Sequence, residues 1–162
     1  MKTLILMRHA KSDWGDSRLS DHARPLNGRG KRSATALGDW LRAQNLLPDQ
    51  ILCSSATRAQ ETCARLKLPK MHQLLDSLYM AEPDAMLTVL RRATGDTVLM
   101  IGHNPGIAEF AHHLVTIPPD HVRFDDYPTG ATLIARFDIA DWSDLRPGTG
   151  MPLFFVIPRE LD

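Results

Sequence analysis

The feature that most constrains the fold is a short, unbroken apolar run near the start of the chain. The run Thr3–Met7 ends abruptly in the polar pair Arg8-His9. An apolar run of this length that ends in polar residues is typical of a strand buried on both faces of a sheet. Open α/β sheets bind their ligands just outside the carboxyl ends of the strands, so we expect Arg8 and His9 to lie at such a site.

Arg8 and His9 are side chains suited to phosphoryl transfer. A guanidinium offers a planar fork of donors that matches phosphate oxygens. A neutral imidazole is a usable nucleophile near neutral pH. The pair is therefore a candidate site for covalent phosphoryl transfer. A short motif also fits an ordinary histidine beside a surface arginine, so the hypothesis depends on the other strand ends.

A second strand end carries another arginine. Gln50–Cys53 is predicted to be a strand, and the next helix begins near Ala56 with Ser55 as its N-cap. Arg58 then falls in the first helical turn, at the carboxyl edge of the sheet. It would lie near Arg8 if the two strands are close in the sheet, and the alternative is a solvated helix charge.

A third strand end carries a second histidine. Thr97–Ile101 is the clearest strand of the chain, and it leads almost directly into His103. We expect Asn104 to be the N-cap of the following helix and Pro105 its first residue. His103 would then lie between a strand end and a helix N-terminus, where anions bind.

The remaining segments complete an alternating pattern of helices and strands. Two more helices, one weak strand and two β-rich runs that could pair antiparallel are predicted at Arg29–Gln44, Pro83–Arg92, Met71–Leu75, Ala131–Asp138 and Leu153–Ile157.

Two acidic residues, Glu82 and Asp84, are candidate general acids, because their loop leaves the same edge of the sheet. The alternative is that they begin a helix and complement its dipole.

Composition excludes several classes of function. The chain has 162 residues and a net charge of zero, which indicates one domain without an electrostatic case for nucleic acid or membrane binding. It shows no signal peptide pattern and no apolar stretch near the roughly 20 residues of a membrane helix. Cys53 and Cys63 fit a reducing compartment, so we expect a cytoplasmic protein. The histidines have no metal-ligand spacing.

The motifs together resemble those of the histidine phosphatase superfamily. The segments that carry the resemblance are Leu4–Ala10, Ser54–Thr62 and Gly102–Asn104. Similarity to its SixA-type phosphohistidine phosphatase branch is carried by Arg8–Ser12, Arg24–Gly30, Gly102–Gly106 and Pro128–Ala131. The resemblance spans essentially the whole chain and implies one domain over residues 1–162. It implies a phosphoglycerate mutase-like fold, a three-layer α/β/α sandwich with a mostly parallel central sheet.

The resemblance also implies roles for the matching residues. His9 would be the nucleophile, and His103 the second pocket histidine that stabilises the transferring phosphoryl group. Arg8 and Arg58 would clamp its oxygens, and Asn104 would join them in binding substrate. No metal or other cofactor is implied. The substrate would be a phosphorylated protein carrying phosphohistidine, or a small phosphorylated molecule.

The chain departs from the larger, mutase-like members in two respects. Ala10 and Gly15 stand where those members usually have Gly and often Asn, so one side-chain phosphate contact is missing. Glu82 lies near the position of their general acid but resembles a helix-start residue. Without a firm acid, an alkoxide would leave slowly. This favours a phosphoramidate substrate such as phosphohistidine over a sugar phosphate.

Three alternatives remain from the sequence. Cys53 precedes Arg58, but with four intervening residues rather than the five that cysteine-dependent phosphatases have, which indicates a buried strand thiol. The chain could instead be a small-molecule phosphomonoesterase of the same superfamily. It could also be a module that binds phosphorylated ligands without turning them over.

Overall fold

The computed structural model describes residues 1–161 as a six-stranded sheet with helices on both faces. The strands are β1 (Lys2–Arg8), β2 (Gln50–Ser54), β3 (His72–Leu75), β4 (Thr97–Gly102), β5 (Thr132–Phe137) and β6 (Met151–Val156), in the spatial order β3-β2-β4-β1-β5-β6. The α-helices are α1 (Gly28–Ala43), α2 (Thr57–Leu66), α3 (Pro83–Arg91) and α4 (Gly106–Leu114).

Parallel pairing brings the predicted site residues to one edge of this sheet. Strands β1 to β4 are mutually parallel, whereas β5 runs antiparallel to β1 and β6 antiparallel to β5. Arg8 pairs with Gly102 in the register of β1 and β4, so His9 and His103 leave the sheet side by side. The predicted mostly parallel sheet is confirmed, and so is the antiparallel tail at one side of it.

Both faces of β1 are buried, which explains its unbroken apolar sequence. Successive side chains of a strand point to opposite faces. Leu4 and Leu6 pack in the hydrophobic cluster that includes α3 and α4, whereas Ile5 and Met7 pack in the cluster that includes α1 and α2. The predicted three-layer α/β/α arrangement follows from this alternation.

The two N-cap predictions are wrong. Neither α2 nor α4 begins with a side-chain cap. Asn104 Nδ2 instead donates to the backbone oxygens of Asp126 (2.8 Å) and Tyr127 (3.0 Å), and Ser55 Oγ lies 3.0 Å from His22 Nε2. Each side chain has found a partner from a distant loop, which competes with a local cap.

Among residues 1–161, no helix combines the length and the apolar content needed to cross a bilayer.

Candidate active site

A cavity of about 230 Å³ opens at the carboxyl edge of the parallel strands. Five predicted site residues line it: Arg8, His9, Arg58, His103 and Asn104. The sequence therefore predicted five of the twelve residues that line the cavity, from strand ends that are separated along the chain. The loop that holds Asp126 and Tyr127 borders the cavity, since its backbone oxygens accept from Asn104 and its Thr129 lines the cavity.

His9 is held in the tautomer that a nucleophile needs. Its Nδ1 lies 2.7 Å from the backbone oxygen of Ala10, which can only accept, so Nδ1 carries the proton. The lone pair of Nε2 then accepts a hydrogen bond from Nε of Arg58 at 3.3 Å, beside the cavity that both residues line. Burial lowers the pKa of His9 to about 3, and the nearby cations add to the shift. His9 is therefore neutral at physiological pH.

His103 adopts the opposite arrangement. Its Nδ1 lies 3.3 Å from Nη2 of Arg58, and a guanidinium only donates, so this nitrogen accepts. Its Nε2 carries the proton and lies 2.7 Å from Ser54 Oγ at the end of β2. Burial, and then the charge of Arg58, lower the pKa of His103 to about 3. The two imidazole rings lie 5.1 Å apart between centroids, so both border the same small space.

Arg58 contacts both histidines and also the loop between β1 and α1. It lies in the first turn of α2 and is 2% exposed. Besides its contacts with both rings, Nη1 donates to the backbone oxygen of Asp21 at 2.7 Å and Nη2 donates to Asp21 Oδ2 at 3.0 Å. A buried charge requires such a partner. The guanidinium is thus positioned before any ligand arrives.

Asp21 is a site residue that the sequence analysis missed. Its carboxylate accepts from Tyr79 (2.5 Å), Arg24 (3.0 Å) and Arg58 (3.0 Å). The hydrogen bond from Tyr79, followed by those from the two arginines, holds the pKa of Asp21 well below its usual range. Its only sequence signal is the unusual length of the loop between β1 and α1. Because Asp21 is ionised, it orients Arg58 and cannot donate a proton to a leaving group.

The second arginine, Arg8, is positioned by Tyr127. The buried Tyr127 donates from its hydroxyl to the backbone oxygen of Leu6 (2.6 Å) and accepts from the amide of Leu133 (3.1 Å). Its backbone is left-handed, with φ of 47°, and its carbonyl accepts from Arg8 Nη1 at 3.2 Å. Arg8 Nε is buried without a hydrogen-bond partner among residues 1–161. Burial, and then the charge of Arg58, lower the pKa of Arg8.

Glu82 lies outside the cavity. It is exposed and occupies the N-cap position of α3, without a side-chain capping bond. Asp21 is the only carboxylate among the described residues that line the cavity. Among the described residues, the site therefore offers two neutral imidazoles and the guanidinium groups of Arg8 and Arg58, but no protonated carboxylic acid.

Cys53 is also remote from this chemistry. It is fully buried in β2, does not line the cavity, and its Sγ contacts the backbone oxygen of Ser54 at 3.3 Å. Interaction with Cys63 and burial raise the pKa of its thiol. Both properties oppose its use as a nucleophile. Within residues 1–161, no group of three His, Cys, Asp or Glu side chains is placed to hold a metal ion.

Comparisons with known proteins agree with this geometry. Residues 4–78 match the family model described as histidine phosphatase superfamily (branch 1). An uncharacterized protein of Mycobacterium tuberculosis is 35% identical over 161 residues, which cover 94% of this chain and 100% of the relative.

Two solved structures extend the likeness to the whole fold. One is assigned as the phosphohistidine phosphatase SixA of Nakamurella multipartitia; it is 30% identical with a TM-score of 0.80, over 97% of this chain and 96% of that one. The other is the protein histidine phosphatase SixA complexed with tungstate, which is 23% identical with a TM-score of 0.80, over 99% of each chain, and shows the same fold.

The lowered pKa values of His9 and His103 can be tested by NMR. We predict that His9 and His103 stay neutral from pH 7 down to about pH 4.5, because burial lowers the pKa of each to about 3. Ring-nitrogen chemical shifts measure this directly, and the urea-unfolded chain is the control, where both should titrate near about 6.5. Since the unfolded chain binds more protons in this window, the free energy of unfolding should fall as the pH decreases below about 6.5. A folded-state transition near neutral pH at either ring would contradict the site as described.

Proposed function

Since the chain belongs to the histidine phosphatase superfamily, we propose that it is a metal-independent phosphatase that forms a covalent phosphohistidine on His9 and removes phosphoryl groups from phosphohistidine in a protein. The observation that carries the proposal is a neutral His9 whose lone pair meets Arg58 in a cavity without a protonated acid. The neutral His9 supports the covalent intermediate, and the lack of a protonated carboxylic acid in the cavity supports the choice of substrate.

In the first step, Nε2 of His9 attacks phosphorus and the bond from phosphorus to the leaving nitrogen breaks. Phosphoryl transfer needs mainly positioning and stabilisation of charge. Arg8 and Arg58 neutralise the phosphoryl oxygens, and His103 orients Arg58 by accepting from its Nη2. The His9 ring becomes positively charged while it keeps its proton on Nδ1. The carbonyl of Ala10, 2.7 Å from Nδ1, stabilises that charge.

In the second step, water attacks the same phosphorus and the bond to His9 breaks. The electron pair returns to Nε2, so His9 leaves as the neutral base that began the cycle. The protons of the water stay with the product, which is dihydrogen phosphate. No proton has to move to or from His9 at any stage, which agrees with its depressed pKa.

The leaving group must bring its own proton. Asp21 is ionised and Glu82 lies outside the cavity, so neither can protonate an alkoxide. A phosphorylated imidazole can bind a proton on its other ring nitrogen near neutral pH, and it then departs as neutral imidazole. The site therefore suits phosphohistidine better than a phosphate ester. The phosphohistidine phosphatases with the same fold support this choice.

We also propose that residues 1–162 act as one domain in the cytoplasm, on a soluble phosphorylated protein. The free thiols of Cys53 and Cys63 support a reducing compartment.

The covalent intermediate is the most direct prediction. Brief mixing with labelled phosphoramidate or phosphohistidine protein, followed by quenching without acid, should trap phosphate on His9, because an N–P bond survives alkali but not acid. Peptide mapping locates the label. The variant His9→Ala should lose label and turnover, whereas His103→Ala should slow both steps but still label His9. Phosphate found on His103, on Cys53 or on no residue would rule out the mechanism, and faster turnover of a sugar phosphate would rule out the substrate.

Removal of the Arg58 side chain should lower the catalytic efficiency strongly. Arg58→Ala should lower kcat/KM on the order of 10²-fold, since a preorganised charge stabiliser is lost. Arg58→Lys keeps the charge without the fork and should recover only part of the activity. Steady-state kinetics on phosphoramidate, with circular dichroism to verify folding, measures both. Turnover of Arg58→Ala close to that of the parent would show that Arg58 has no such role.

Hydrolysis should persist unchanged in excess EDTA, because arginines and neutral histidines supply the contacts to the phosphoryl group. The measurement compares initial rates before and after chelation and dialysis. A loss of rate that a divalent cation restores would replace the metal-free mechanism.

A further inference from the structure

A second, larger groove of about 390 Å³ adjoins the catalytic cavity. The two share three wall residues, Arg8, Lys11 and Thr129. Arg29 and Arg159 line only the larger groove. A ligand in the groove would therefore lie directly beside a phosphoryl group at His9.

The groove is strongly basic although the chain as a whole has no net charge. Arg8, Lys11, Arg29 and Arg159 line it, and within residues 1–161 none of them forms a salt bridge with a carboxylate. Its carboxylate, Asp126, is already paired with Arg123 at 2.8 Å. Unpaired charges of one sign in a concave wall concentrate ligands of the opposite sign.

Two close backbone contacts build this groove into the fold. Lys11 accepts from the amide of Asn27, which caps α1 through the amide of Gly30, and a side chain at Gly30 would collide with the Lys11 backbone. Lys11 and Arg29 are thereby held on one wall.

Gly130 packs closely against Pro158, which also lines the groove. The amide of Gly130 donates to the backbone oxygen of His9 at 2.9 Å, its φ is 76°, and a side chain there would collide with Pro158. Pro158 precedes Arg159, so the turn that supports His9 also places Arg159. The basic groove and the nucleophile are parts of one packed unit.

The first turn of α1 lacks the acidic residues that commonly stabilise a helix N-terminus. It contains Arg29 and no acidic residue, whereas the positive end of a helix dipole favours carboxylates. Such a local conflict is common where a ligand supplies the missing charge. An anion in the groove would relieve it.

We infer that the groove binds a second anionic group of the substrate, a carboxylate or a phosphate, while the catalytic cavity holds the phosphoryl group that is transferred. Arg8 lines both spaces, so its guanidinium can contact an anion in each of them. This inference rests on the proposed function for the identity of the transferred group. It adds that the preferred substrates are polyanionic.

The test removes the two cations that line only the groove and form no salt bridge among the described residues. The double variant Arg29→Gln/Arg159→Gln is compared with the control Arg32→Gln/Arg65→Gln, which removes the same charge from a separate groove between α1 and α2. Phosphoramidate has no second anionic group, so its kcat/KM should be the same in both variants and in the parent. Thermal unfolding verifies that the variants are folded.

The first arm uses two phosphohistidine peptides that differ only in having Asp or Asn beside the phosphohistidine. The parent and the control should prefer the Asp peptide by about 10-fold or more in kcat/KM, and the groove variant should lose that preference. This outcome assigns the second anion to an acidic residue of a protein substrate.

The second arm uses calorimetry with inorganic tripolyphosphate, which needs no turnover. The parent and the control should bind it about 10-fold or more tightly than the groove variant. This result without the peptide preference assigns the second anion to a small phosphorylated substrate. If neither arm depends on Arg29 and Arg159, the inference is wrong. If tripolyphosphate binding depends on them but no version hydrolyses phosphoramidate, the groove stands and the proposed function fails.

Discussion

The contact on which the site depends is that of the buried Arg58 guanidinium with two neutral imidazoles and one carboxylate. Asp21 supplies the charge that a buried arginine requires. The remaining donors of Arg58 then face the lone pairs of His9 and His103. Each partner determines the state of the others, because the cation disfavours protonation of the rings and the neutral rings can accept from it. His9, which we propose as the nucleophile, is therefore neutral and oriented before a substrate binds.

The parallel sheet makes this contact possible. The ends of β1, β2 and β4 meet at one edge, and they bring together residues that lie far apart in the sequence. The carboxyl ends of parallel strands are natural ligand sites. The same edge leaves Arg8 Nε and Asn104 Oδ1 buried without partners among residues 1–161. Unsatisfied polar groups are costly. The apolar packing on both faces of β1 offsets that cost.

The loops around the edge determine which chemistry the site can perform. Asp21 is held ionised by Tyr79, Arg24 and Arg58, and Glu82 is exposed at the start of α3. These two placements leave the cavity without an acid, and the proposed choice of a phosphoramidate over an ester depends on them. The loop that carries Tyr127 and Gly130 joins the catalytic cavity to the basic groove. Nucleophile, clamp and groove are therefore parts of one packed edge.

The sequence by itself determined the strands, their carboxyl ends and the residues that occupy those ends. A buried strand followed by Arg8-His9 or by His103 is a local pattern, and an apolar run that ends in polar or turn-forming residues suffices to find it. The fold class followed from the same patterns and from the family resemblance. By contrast, Ser55 and Asn104 are residue types that often cap helices, but here their side chains form hydrogen bonds with His22 and Asp126.

Only the tertiary structure decided that Asp21 orients Arg58, that Tyr127 positions Arg8 and that Glu82 stays outside the cavity. Each of these contacts joins residues distant in sequence, by 37 positions for Asp21 and 119 for Tyr127. A loop residue carries no periodicity that reveals its partner, because its position is set by the elements packed around it. The protonation states of His9 and His103 were likewise undetermined, since burial and nearby charge lower their pKa values only once the strand ends have met.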